Sequence, residues 1–154
     1  DDAVARARDL NARELAMTIR CEIVSQDRIV FQGDVDMVVV PGAAGEMGIL
    51  PNHSPVLTLL KFGVVRVKQA SSEQYFTVAG GVAEVQPDQV TILADAAENV
   101  EEINLQRAEE ARRRAELALK EGVKEDMDAY LQIQAAIRRS DLRIDAARRY
   151  RHGR

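Results

Sequence analysis

The apolar positions of this chain change period once. Ile19, Cys21 and Ile23 interleave with Thr18, Arg20 and Glu22, and short apolar runs follow at 29–31, 35–40, 56–60, 64–67, 75–78, 82–85 and 90–93. Side chains on a strand point to opposite faces in turn, so this texture predicts strands, and no segment before residue 95 fits a helical period better. Turn-forming residues divide the runs at 25–27, Gly33-Asp34, Ala70-Ser71-Ser72, Gly80-Gly81 and Gln86-Pro87-Asp88-Gln89. Short strands at this spacing predict a small sandwich or barrel. Beyond residue 98 the period becomes helical. Ala108, Ala111, Ala115 and Ala118 recur at steps of three and four, as do Ile133, Ala136 or Ile137, Ser140, Ile144 and Ala147. Gly122 and the polar run 124–128 between them supply a helix stop, a turn and an acidic start, which predicts a helical hairpin.

The fold class expected is therefore α+β, with strands first and two antiparallel helices after. Three stretches follow: an N-terminal extension over 1–16, a β domain over 17–100 and a helical hairpin over 101–154. The extension holds good helix formers, but Val4, Leu10 and Leu15 make no clean apolar stripe, so it reads as a frayed helix or a mobile arm. Met17 opens the strand texture. An alanine stripe permits close helix approach yet buries little area, at ~25 cal/mol/Å², so the hairpin is held weakly beside the sandwich and reads as an arm able to leave its docked position.

One stretch breaks both periods. Residues 41–55 hold three of the four prolines and three of the nine glycines, so they predict a stiff, shaped loop rather than a strand or helix interior. Glu46 and His53 put polar chemistry on it, with Met47, Ile49 and Leu50 beside them. Two readings stand: a solvated carboxylate with an imidazole bonded to the loop backbone, or a docking surface.

Composition narrows the chemistry. At 154 residues the chain has the length of about one domain, and 46% apolar residues supply a core although aromatics are only 4%. One cysteine excludes an internal disulfide; with two histidines it is too few for the usual zinc site, and it points to a reducing compartment. No apolar run reaches 18 residues, and the first residues lack the pattern of a signal peptide, so a membrane is reached only through a partner. Net charge −4 hides an asymmetry. Residues 17–100 carry five Lys/Arg against ten Asp/Glu, whereas from residue 138 onward seven arginines stand against two aspartates. The basic end favours contact with something acidic; no nucleic-acid partner is expected.

Catalytic patterns are missing. Gly42, Gly45 and Gly48 do not make a phosphate or dinucleotide loop. Ser54 directly follows His53, a poor arrangement for a nucleophile and its base, and no third group orients the imidazole, so a hydrolase reading is weak. Cys21 lies in a strand pattern and reads as a buried small hydrophobe, and His152 as a solvated residue of the basic tail. The helix arginines read first as a solvated face held by pairs such as Glu109 with Arg113 and Glu110 with Arg114.

Gly-Glu-Met-Gly-Ile-Leu-Pro-Asn-His-Ser-Pro at 45–55 and Val-Ala-Gly-Gly-Val-Ala-Glu-Val-Gln-Pro-Asp-Gln-Val-Thr-Ile-Leu-Ala-Asp at 78–95 closely resemble the epsilon subunit of bacterial rotary ATP synthases. The similarity runs from Met17 to about Arg148 and is looser in the helices; residues 1–16 depart from it. The resemblance implies a ten-stranded β-sandwich followed by a helix-turn-helix, and a subunit with no catalysis of its own. It implies a place in the central stalk on the cytoplasmic face of the cell membrane, binding the gamma subunit and the ring of c subunits and coupling proton-driven rotation to ATP synthesis. By motif, Glu46, Met47, Gly48, Ile49 and His53 would make the ring and gamma contacts. The hairpin would lie folded on the sandwich, or extend to the catalytic beta and alpha subunits and inhibit hydrolysis, with Arg138, Arg139, Arg143 and Arg148 as inhibitory contacts.

Some members of that family bind ATP on the folded hairpin, which would here use Glu98, Ile103, Asn104, Arg107, Ala108, Arg114 and Arg138. Asn104 replaces the acidic residue of that pattern, so one polar contact changes character. No other cofactor is implied. A free ATP-sensing module built on Arg107, Arg114 and Arg138 is the alternative from a different class.

Overall fold

In a computed structural model of the chain, the described residues are 2–6, 17–26, 28–122 and 126–151. Residues 2–6 are helical; the remaining residues of the predicted extension, and His152, lie outside the described residues. Eight strands follow: β1 (Ile19–Ser25), β2 (Arg28–Val35), β3 (Met37–Gly42), β4 (Gly45–Ile49), β5 (Val56–Gln69), β6 (Ser72–Val85), β7 (Gln89–Ala94) and β8 (Ala97–Asn99). A 3₁₀ turn (Val100–Glu102) leads to helices α1 (Leu105–Lys120) and α2 (Met127–Tyr150). The strands run β2-β1-β7-β6-β5-β3-β4, with β8 also paired to β6, and among the described residues only β1 with β7 is parallel.

Ten strands were expected and eight are found. The runs 56–60 and 64–67 are halves of one strand, β5, and 75–78 and 82–85 are halves of β6. Pairing between β5 and β6 continues through the supposed breaks, with Leu60 opposite Gly81 and Phe62 opposite Ala79. What changes there is the face turned inward. Phe76 and Val78 are buried on one side of Gly80-Gly81 and Ala83 and Val85 on the other, so the alternation slips by one residue and the long strands serve both layers. Gly80 (φ +87°) and Gly81 (φ +121°) take up that bend in backbone conformations that L side chains resist.

The stretch 41–55 is also corrected. Most of it is a tight hairpin rather than a loop: β3 turns through Ala43-Ala44 into β4, with Gly42 opposite Gly45 and Pro41 opposite Glu46. Pro41 is tolerated because the pairing of β3 with β5 shifts register between Val39 and Gly42, where a missing N–H costs least. Only residues 50–55 remain irregular.

Ile19, Cys21, Ile23, Val38, Val40, Ile49, Val65, Val67, Phe76 and Ile92 are among the buried side chains of the main core, and Phe31 tilts against Phe76 at 5.4 Å between ring centroids. Aliphatic packing thus carries the sandwich, as the scarcity of aromatic residues required.

Both helices begin with a side-chain cap. The Asn104 Oδ1 accepts from the Arg107 N–H at 3.0 Å, and the Asp126 carboxylate accepts from the Asp128 and Ala129 N–H groups. Lys120 closes α1 just before Gly122 (φ +94°). Of the alanine and isoleucine stripe, Ala108, Ser140, Ile144 and Ala147 are buried, together with Ala146. Ala146 and Ala147 pack with Val100 and Ile103, and with the half-buried Val64 of β5 and Tyr75 of β6, so the hairpin lies docked on the outer face of the sandwich.

Candidate functional site

Strand alternation divides β4: Glu46 and Gly48 point outward, Met47 packs partly against the core, and Ile49 is fully buried, out of reach of any partner. His53 lies in the irregular segment beyond. Its Nδ1 stands 2.7 Å from the Ser54 carbonyl oxygen, and because a carbonyl only accepts, Nδ1 carries the proton. The imidazole thus bonds the backbone of Ser54, not its hydroxyl. His53 N–H donates to Leu50 O and Asn52 (φ 66°) N–H donates to Pro87 O, which tie this segment to the β6–β7 turn.

Outward-facing leucines form a surface that the apolar pattern did not single out. Leu59, Val82 and Leu93 lie in one row across β5, β6 and β7, and Leu57 follows on the same face. Leu57 is 70% exposed, Leu59 65% and Leu93 47%, beside a depression of about 560 Å³ that also touches Val24 and Gly80-Gly81. Exposed large apolar side chains grouped like this mark an interaction surface. The signal was present in the sequence, since both residue parities of 56–60 are apolar, but nothing local said which parity faces out.

The basic residues of the hairpin fall into different places. Arg143 forms a two-pronged pair with Glu98, at 2.9 and 3.3 Å, half-buried between α2 and β8. Arg139 lines the same cleft of about 290 Å³, with Arg28 and Glu102. Arg138 lies instead over the Phe62 ring at 4.3 Å. Arg148 reaches across the hairpin to Glu109 at 2.8 Å, so Glu109 pairs between helices rather than along α1 with Arg113. Arg112 likewise spans to Asp141 at 2.7 Å as well as to Glu116. Of the residues expected to contact ATP, Ile103 and Ala108 are buried, Asn104 is occupied as a cap, and Arg107 and Arg114 are exposed on α1. The docked hairpin therefore does not gather Glu98, Arg107, Arg114 and Arg138 into one pocket. Arg139, not Arg138, stands beside Glu98.

A second cleft, of about 340 Å³, lies on the other side of α2 and is lined by Glu46, Lys61, Arg66, Asp145 and Arg149. No group of histidine, cysteine or acidic side chains among the described residues is placed to hold a metal. Burial pushes the Cys21 thiol up to about 12, with the Glu22 carboxylate adding to the effect, so this cysteine is inert. No described helix is long and apolar enough to cross a membrane.

Two family models cover both parts of the chain: the β-sandwich domain of the ATP synthase delta/epsilon chain over residues 18–100, and its long α-helix domain over residues 101–148. The chain belongs to the ATP synthase delta/epsilon family. The ATP synthase epsilon chain of Halalkalibacterium halodurans is 43% identical over 132 residues, 86% of this chain and 98% of that one. That of Herminiimonas arsenicoxydans is 40% identical over 142 residues, 91% and 100% of the two chains. Among solved structures, a chain of the Euglena gracilis mitochondrial ATP synthase superposes with a TM-score of 0.70 at 23% identity, over 85% of this chain and 81% of that one. A chain of the Tetrahymena thermophila mitochondrial ATP synthase central stalk and c-ring gives 0.53 at 12% identity, over 84% and 96%. At such identities these likenesses speak for the fold alone.

Proposed function

We propose that this chain is a non-catalytic central-stalk subunit of a proton-driven ATP synthase, peripheral to the cytoplasmic face of a bacterial membrane and held there through the complex. In this reading the sandwich joins the gamma subunit to the ring of c subunits, and the hairpin restrains ATP hydrolysis when it leaves the sandwich for the catalytic subunits. The observation that carries it is the open leucine face of Leu57, Leu59 and Leu93 on a domain whose family members are ATP synthase epsilon chains. That face would otherwise leave a large apolar area in water, at ~25 cal/mol per Å². The stiffness of the β3–β4 turn, which carries Glu46, limits the entropy lost on docking.

Adding the chain to an epsilon-depleted complex tests this. Proton-coupled ATP synthesis should recover and ATP hydrolysis should fall. Leu59→Asp should abolish the recovery while leaving the isolated chain folded. Unchanged coupling on addition of the intact chain would refute the assignment. A free ATP sensor would instead release heat on titration with ATP, and lose it in Arg107→Ala.

A further inference from the structure

The last turn of α2 closes back on the pivot from which the hairpin departs. Arg151, the C-terminal cap of α2, turns its guanidinium under the 3₁₀ segment. One Nη2 donates to the Val100 carbonyl at 3.1 Å and also to that of Ile103. Val100 O is the same atom that closes the 3₁₀ turn by accepting from Ile103 N–H at 3.3 Å. One side chain thus bonds the two ends of the connector between sandwich and hairpin, across about fifty residues of sequence. Val100 and Ile103 are buried, and each belongs to the small core that also holds Ala146 and Ala147.

The neighbouring residue adds a second contact. Tyr150 stacks on Tyr75 of β6 at 4.5 Å between centroids and 16° between planes. Tyr75 belongs to the sandwich and Val100 and Ile103 to the connector beside it, and both contacts lie at the pivot end of the helix. By contrast Arg112–Asp141 and Arg148–Glu109 join helix to helix, and so survive a movement of the hairpin as a body.

We propose that Tyr150 and Arg151 form the latch that sets the balance between docked and released hairpin. This deepens the regulatory reading above and rests on it. Release must part these contacts together with the Arg143–Glu98 pair and Arg138 over Phe62, and of the four only Arg151 bonds the connector itself. The Nε–H of Arg151 is buried and has no partner among the described residues. An unsatisfied buried donor has a cost, so the latch is weaker than a saturated arginine site and can open reversibly. Release would also return both carbonyls and the guanidinium to water.

The test uses spin labels at Lys68→Cys on β5 and Gln132→Cys on α2 of the isolated full chain, read as a distance distribution by pulsed electron resonance. The parent should show mainly the short, docked distance. Arg151→Ala should lower the docked-to-released ratio about tenfold or more, as expected for the loss of a charged donor to two carbonyls. Tyr150→Ala should shift it in the same direction, and Arg113→Ala, on the exposed side of α1, should leave it unchanged. Circular dichroism and the sandwich melting temperature distinguish release from unfolding. If Arg151→Ala melts like the parent and keeps the parental distribution, the latch is wrong. If Arg113→Ala shifts it equally, a general charge effect replaces the latch. Because no other subunit is present, either failure leaves the stalk assignment to its own experiment.

Discussion

At the residue scale, single positions show what neighbours do to a side chain's chemistry. Cys21 is hydrophobic in effect because burial keeps its thiol neutral. Its ordinary value of 9.0 rises to about 12. Below about 9 the thiol is neutral folded or unfolded, and its contribution to stability is intact. As the pH climbs from there towards about 12, the unfolded chain loses the proton first, so stability falls. Tyr75, raised chiefly by its hydrogen bond to Glu73, acts in the same direction, which makes a comparison necessary. Relative to Cys21→Ala, the parent should lose on the order of 2 kcal/mol more between pH 8 and pH 10.5 in urea unfolding. Parallel profiles would mean that the thiol is not desolvated. Asn104, part of the nucleotide-binding pattern in sequence, also starts a helix by accepting from the Arg107 N–H.

At the scale of elements, the strand runs and the helical stripes were legible because periods of two and of about 3.6 are local properties. Strand number was not. Gly80-Gly81 reads as a break in sequence, and only the pairing with β5 on both sides of it shows a bend within one strand. A Cβ at Gly81 would stand 2.2 Å from Leu93 O and 2.7 Å from the Ala94 Cα, on top of an unfavourable φ. Gly81→Ala should therefore destabilise the sandwich by about 3 kcal/mol or more. Gly48, with open space where its Cβ would be, should accept alanine within about 0.5 kcal/mol. Thermal melts of the two variants check this, and equal melting temperatures would remove the bend from the account. The region 41–55 failed as a loop prediction for the same reason. Proline argues against a strand interior only where its N–H is needed, and a register shift in the partner strand is invisible until strands are paired.

For the whole molecule, the main core is built without any residue of the hairpin, whereas the small second core straddles the junction. On the stalk reading proposed above, ending the chain after Glu98 should leave a cooperatively folding sandwich that binds the gamma subunit and does not restrain ATP hydrolysis. Loss of cooperative melting in that fragment would show that the hairpin is structural, and full inhibition by it would place regulation in the sandwich. The arginines of the last segment could be counted in the sequence but not assigned. Helical spacing gave Arg138, Arg139, Arg143 and Arg148 one shared character, and docking sent them to an aromatic ring, a cleft, a carboxylate of β8 and the neighbouring helix.

Sequence alone determined the order of strands before helices, the turns at 70–72 and 86–89, and the motif resemblance that the family models bear out. Those are set by period, turn chemistry and residue identity, all readable within a short window. Tertiary structure decided the face of β4 and β5 that meets solvent, the joining of four runs into two long strands, the docked position of the hairpin and the partner of each arginine. These depend on which distant segments come to lie side by side, a matter of pairing and packing that no local pattern encodes.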